Sequence, residues 1–187
     1  MLAEGDADTL SLDEIVRSKI VDAVRRVHLS APAYLLESGH NFADEVYWQD
    51  RESGWVLLPD DFMRLIVFSM SDWERSVYTA ISTTDPAYRF QRQRVKALRG
   101  TAQRPVCAVA RRPEGLVLEF YSCKSRQATV SQAVYQPYPS VDAEGGIDIS
   151  ERCHASVIYT TAALTLATMG ESQLSSEMLE LAKTMIQ

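Results

Sequence analysis

The first residues to weigh are those able to do chemistry. Asp60-Asp61 is an adjacent acid pair. Neighbouring carboxylates can hold a divalent cation, or divide the roles of acid and base between them. Pro59 precedes the pair and no third ligand lies nearby in sequence, so a turn is the simpler reading: proline fixes the backbone and aspartate bends the chain that follows. Cys153-His154 offers a thiol and an imidazole early on a helix, where the N-terminal dipole favours a thiolate. Adjacent helical residues point about 100° apart, so the two do not face each other. Cys153 also falls on an apolar stripe, a core position. His28 and His40 are the remaining histidines, and no spacing joins the three into a triad or a zinc site. The chain has no GxGxxG, GxxxxGKS/T, HExxH or GxSxG. No catalytic, cofactor-binding or metal-ligating set is therefore expected, and no enzyme.

The strongest local feature is charge. Arg89, Arg92, Arg94, Lys96, Arg99, Arg104, Arg111 and Arg112 follow one another with no acid among them, in a chain of formal net charge -6. The first five lie in a polar stretch that reads as a loop or a short exposed helix. They form the candidate interaction site, able to meet DNA phosphates or an acidic surface on a neighbour. The plainer alternative is a solvated arm that balances acids elsewhere. Those acids concentrate at Glu4, Asp6, Asp8, Asp13 and Glu14, and again at Asp44, Glu45, Asp50, Glu52, Asp60 and Asp61. An acidic face and a basic arm on one chain suit head-to-tail contacts between copies. Tyr88 and Phe90 are the aromatics near the basic run, few for a surface that stacks bases.

The elements that must hold these residues can be read in order. Residues 1–10 are a short acidic lead. Ser11-Leu12-Asp13-Glu14 is a capping box, and Leu12, Val16, Ile20, Val24 and Val27 continue it as an amphipathic helix over 11–31, stopped before Pro32. Val46-Tyr47-Trp48 and Trp55-Val56-Leu57-Leu58 flank a charged turn and predict a hairpin. Phe62 to Met70 and the shorter Val77 to Ile81 are further apolar runs. Val106–Ala110 and Leu116–Tyr121 flank Arg112-Pro113-Glu114-Gly115, a second hairpin signal. Thr129 to Tyr135 adds a strand before Pro137 and Pro139. Asp148-Ile149-Ser150-Glu151 resembles another capping box. It opens an Ala-rich helix that Gly170 ends, and Leu174, Met178, Leu181 and Met185 mark a last amphipathic helix.

The expected fold is α+β: N- and C-terminal helices forming a small antiparallel bundle, with a central antiparallel β-rich insertion, barrel or sandwich, over 42–139. The insertion carries a long basic loop over 82–104, and the C-terminal helices span 148–187. The 187 residues suit one domain with a core of its own. No run of about 18 apolar residues exists, so no membrane contact is expected. Cys107, Cys123 and Cys153 are far apart and odd in number, which fits reduced core cysteines.

VDAVRRVHLSAPAYLL, GWVLLPDDFMRLIVFSMSDWERSV, RGTAQRPVCAV with GLVLEFYSC, YQPYP, and IDISERCHASVIYTTAALTLATMGE occur in that order from about residue 12 onward. Together they resemble the head-to-tail connector, or adaptor, proteins of tailed bacteriophages and prophages. LPDDF, and Tyr-Pro before a capped Ala-rich helix, look like the versions in phages of Bacteroides-type gut bacteria. The resemblance implies a virion neck protein: a ring of copies that links the portal to the tail, made in the host cytoplasm and built into the virion. It implies no catalytic residues and no cofactor. Its partners would be copies of itself, the portal and tail proteins, with contact to DNA open. The last helix stops at Gln187, where many adaptors continue, so a stopper or tail-completion protein also fits. Apart from this resemblance, the basic run also suits a nucleic-acid-binding or other oligomeric interaction module using Arg89, Arg92, Arg94, Lys96 and Arg99.

Overall fold

The computed structural model describes residues 11–36, 39–91, 93, 95 and 98–186. It is mixed α+β, with four helices and two sheets among the described residues. The chain divides into two compact units. One joins the residues before Gly39 to those after Tyr138, and the other is Gly39–Tyr138.

The first unit is helical. Helix α1, Leu12–Ser30, starts at the capping box: the Ser11 hydroxyl accepts from the Glu14 N–H at 3.3 Å, and the Glu14 carboxylate accepts from the Ser11 N–H at 2.8 Å. It ends at Ala31, whose extended backbone leads into Pro32. Ala23, Val24, Val27 and His28 are its buried face. The second capping box does not form. The Ser150 hydroxyl donates to the Leu35 carbonyl instead, and a 3-10 turn over Glu151–Cys153 leads into the helix. That helix, α3, is His154–Thr168, numbered after a short helix of the second unit. It ends in a Schellman motif: Gly170, at φ +86, lets its own N–H reach the Ala167 carbonyl and the Glu171 N–H reach Leu166. Helix α4, Ser172–Thr184, then runs back along α3. Two buried hydroxyls fix the antiparallel pairing, Ser156 on the Ala182 carbonyl and Ser175 on the Ala163 carbonyl, each at 2.9 Å. Helix α3 packs against both α1 and α4.

The second unit holds eight strands: β1 (His40–Asn41), β2 (Tyr47–Trp48), β3 (Gly54–Leu57), β4 (Phe62–Met70), β5 (Ile81–Ser82), β6 (Cys107–Arg112), β7 (Gly115–Phe120) and β8 (Val130–Pro137). They form a three-stranded sheet, β1-β8-β4, and a five-stranded sheet, β2-β3-β7-β6-β5. Both expected hairpins are present, Tyr47 opposite Trp55 and Arg112 opposite Gly115. Two expectations need correction, and of the barrel and sandwich alternatives the closed barrel is excluded. The strands lie in two separate sheets that share one core. They are not all antiparallel, because β5 pairs with β6 in parallel. Of the apolar run Val77 to Ile81, only Ile81 enters a strand, and Val77 makes a two-way bridge to Phe68.

The core explains the two sheets. Alternate residues Val56, Leu118, Phe120 and Cys107 of one sheet meet Leu65, Phe68, Ala133 and Tyr135 of the other. Phe68 touches the rings of Phe42, Trp73 and Phe120 at 5.7–6.1 Å between centroids. Phe68 has no exposed surface, so Phe68→Ala should lower the unfolding free energy by about 3–5 kcal/mol in urea titrations.

Candidate interaction sites

The basic run is anchored at both described ends. It begins with helix α2, Pro86–Gln91, rather than an unbroken loop over 82–104. Proline suits a first helical position, and the Asp85 carboxylate accepts from the Ala87 N–H at 2.8 Å. Gln91 is buried and its side-chain oxygen accepts from the Gly100 N–H at 2.8 Å, tying the two ends of the run together. Arg89 is exposed on α2. Arg99 pairs with Glu52 at 2.9 Å. Arg92, Arg94 and Lys96 lie outside the described residues.

Arg112 has a different fate. It enters a cluster around Glu119, a carboxylate buried on the second face of the five-stranded sheet. Arg112 Nε and Nη2 donate to Glu119 Oε1 at 3.1 and 2.6 Å. The hydroxyl of Tyr88, on α2, donates to Oε2 at 2.9 Å, and that of Tyr121 donates to the same oxygen. The guanidinium also lies 5.2 Å from the Trp55 ring, which stacks on Tyr47 at 4.2 Å. Burial pushes the Glu119 carboxyl up, but the bonds from Tyr121, Arg112 and Tyr88 together hold it below its ordinary value. Burial first, and then the Glu119 carboxylate, push the Tyr121 phenol up. Glu119 thus stays ionised and Tyr121 stays protonated near neutral pH. Every strong acceptor direction is occupied, so the cluster ties α2 to the sheet and leaves no base to act on a substrate. Sequence reasoning missed it. Its signal was Glu119 alone among apolar residues in GLVLEFY, a charge that a buried strand must pair.

The other chemical candidates are structural. The Asp61 carboxylate accepts from the Tyr135 hydroxyl at 2.7 Å, and Asp60 is exposed beside it in the turn. Burial, with Asp61 adding to it, pushes Tyr135 up to about 12. Cys153 is buried with its thiol 3.9 Å from the Leu35 carbonyl, while His154 is exposed. Burial, reinforced by Asp72, pushes Cys123 up to about 12, and Cys107 is raised by burial and then by Cys123. Neither supplies a thiolate at neutral pH. Among the described residues, no group of three His, Cys, Asp or Glu could hold a metal ion. A shallow polar cleft of about 300 Å³ in the β unit includes Arg99 and Lys124, but Glu52 and Glu74 stand against these cations at 2.9 and 3.9 Å. That pairing leaves little net charge for an anion.

The helical unit contains a larger feature of another kind. Leu12, Val16 and Ile20 of α1 form one wall of a groove of about 790 Å³, and Ile158, Ala162, Leu166 and Met169 of α3 form the other. Ile158 is 66% exposed and Met169 56%. The hydroxyls of Thr161 and Thr165 turn back onto the carbonyls four residues earlier, at 2.8 and 2.9 Å, so they present methyl groups to the groove. A contiguous apolar surface of this kind is the mark of a protein contact.

No protein-family model matches the chain, and no curated protein is significantly similar to it in sequence. No helix among the described residues is long and apolar enough to cross a membrane.

The Glu119 cluster has a measurable signature. Arg112→Ala leaves a buried carboxylate without its cation and should lower stability by about 3–5 kcal/mol at neutral pH. The folded value of Glu119 is depressed, so its contribution is complete above the ordinary value of 4.5 and is lost as pH falls through the lower folded value. In urea titrations at stepped pH, the stability gap between the native chain and Glu119→Gln should therefore be flat near neutrality. It should narrow once the pH drops below 4.5.

Proposed function

We propose that this chain is a structural protein of the head–tail junction of a tailed bacteriophage, forming a ring that links the portal to the tail. It is made in the host cytoplasm and resides in the virion neck. In this reading α1, α3 and α4 act as a small antiparallel bundle that carries the assembly contacts, and the Gly39–Tyr138 unit is the inserted platform. The order of sequence blocks that resembles the connector family supports it. The observation that carries it is the apolar groove between α1 and α3, a surface suited to another protein rather than to a reacting small molecule. The engaged polar groups point the same way, because the carboxylates of buried Glu119 and of Asp61 are bound by their own chain. Contact with DNA through Arg89, Arg92, Arg94, Lys96 and Arg99 is the lesser reading, since Arg99 is already matched by Glu52.

The test is co-expression with the portal and tail proteins encoded beside this gene, followed by purification and negative-stain electron microscopy. A ring-shaped complex on the portal is expected. Failure to form a complex with any of these partners at low and high salt, or flanking genes that encode no virion protein, would overturn the reading.

A further inference from the structure

We propose that the groove between α1 and α3 receives helix α4 of a second copy, so that copies join head to tail. The inference rests on the reading of this chain as a self-assembling protein and supplies its contact. The helical unit carries both halves of the joint. The acceptor is the groove. The donor is a stripe of Leu174, Met178 and Leu181 on α4, continued by Met185 at its C-cap; these recur at four, three and four residues and so lie on one face. Leu174, Leu181 and Met185 are 45%, 40% and 43% exposed.

This stripe is not the face by which α4 holds its own α3. That face is Ser175 and Ala182, about 80° away around the helix. On α3, in turn, Ser156 and Ala163 face α4 from roughly 140° around from the centre of the groove wall. A copy cannot lay α4 into its own groove without breaking both serine bonds. Donor and acceptor therefore point in different directions, and the contact between copies is heterologous, the kind that closes rings or extends chains.

Length fits. The stripe from Leu174 to Met185 is about 16 Å long, and the α3 wall from His154 to Met169 is about 22 Å, so a single α4 seats within it. Along the Leu12, Val16 and Ile20 wall α1 carries two acids, Asp13 and Glu14, and two bases, Arg17 and Lys19, and α3 contributes no acidic or basic side chain other than His154, so the joint is apolar at its centre and its acceptor side carries no charge excess.

The experiment is sedimentation and light scattering of the full chain over a concentration series at low and high salt. The donor variant is Leu181→Glu and the acceptor variant Ile158→Glu. Both sites are exposed, and unchanged thermal unfolding checks that each variant folds; Leu174→Glu is the second donor variant. The native chain should associate at both salt concentrations. Each variant alone should associate at least about tenfold more weakly. Mixed together, the two should form a one-to-one pair that grows no further, because one keeps its groove and the other its α4. A native chain that stays monomeric throughout overturns the proposal. So does a donor variant that associates like the native chain, although a ring built by another surface then survives. If the pairing occurs but no portal complex forms, the neck reading fails and the contact stands.

Discussion

Between His154 and Gly170 the chain has no Asp, Glu, Lys or Arg, and a helix of that composition has no face to give to water unaided. The helical unit is organised around this constraint on α3. Helix α4 covers one flank, fixed by the two serine-to-carbonyl bonds, and α1 covers another with Ala23, Val24 and Val27 among its buried residues. Thr161 and Thr165 of α3 satisfy their hydroxyls on the helix's own carbonyls, so they count as apolar surface. Two covering helices do not enclose the third. What remains uncovered is the groove, and the proposal for how copies meet grows from that geometric shortfall.

The β unit solves the opposite problem. Its five-stranded sheet buries a charge, and a buried carboxylate is tolerable only with its cation and donors in place. Arg112 comes from β6, Tyr121 from the residue after β7, and Tyr88 from α2. The carboxylate thus fixes where α2 lies on the sheet, and with Gln91 it fixes both ends of the basic run. The two units differ in what their surfaces offer. One leaves an apolar groove open, and the other buries a charge paired within its own sheet.

Where a signal is local, the sequence carries it. Ser11 and Glu14 satisfy each other within one turn, Pro32 ends α1, and Gly170 supplies the positive φ that ends α3. The hairpin at Pro113-Glu114 needs only Gly115, at φ +137, to bring Arg112 opposite it. Non-local pairings were hidden. His40 and Asn41 have no strand signal of their own and become β1 because β8 has a free edge. Ile81 and Ser82 find a parallel partner across an intervening helix, which no turn residue announces. Asp148-Ile149-Ser150-Glu151 reads as a capping box, but the Ser150 hydroxyl goes to the Leu35 carbonyl and a 3-10 turn starts the helix, so tertiary demand overrides the local motif. For the interaction site, the basic residues drew attention by density in sequence, although two of them are spent on Glu52 and Glu119. The groove was legible only as stripes on separate helices, since which stripe stays uncovered depends on how the helices pair.

The chain order of the units bears on how the protein is made. Helices α1 and α3 are separated by the 123 residues from Ala31 to Cys153. At roughly 5–20 residues per second of synthesis, α1 emerges about 6–25 s before its partner exists. The Gly39–Tyr138 unit is continuous and can close during that interval. The buried face of α1 cannot, and it waits as a solvent-facing apolar stripe beside a nascent fold. Folding in the cell is thus divided in time, with α3 and α4 completing what α1 began.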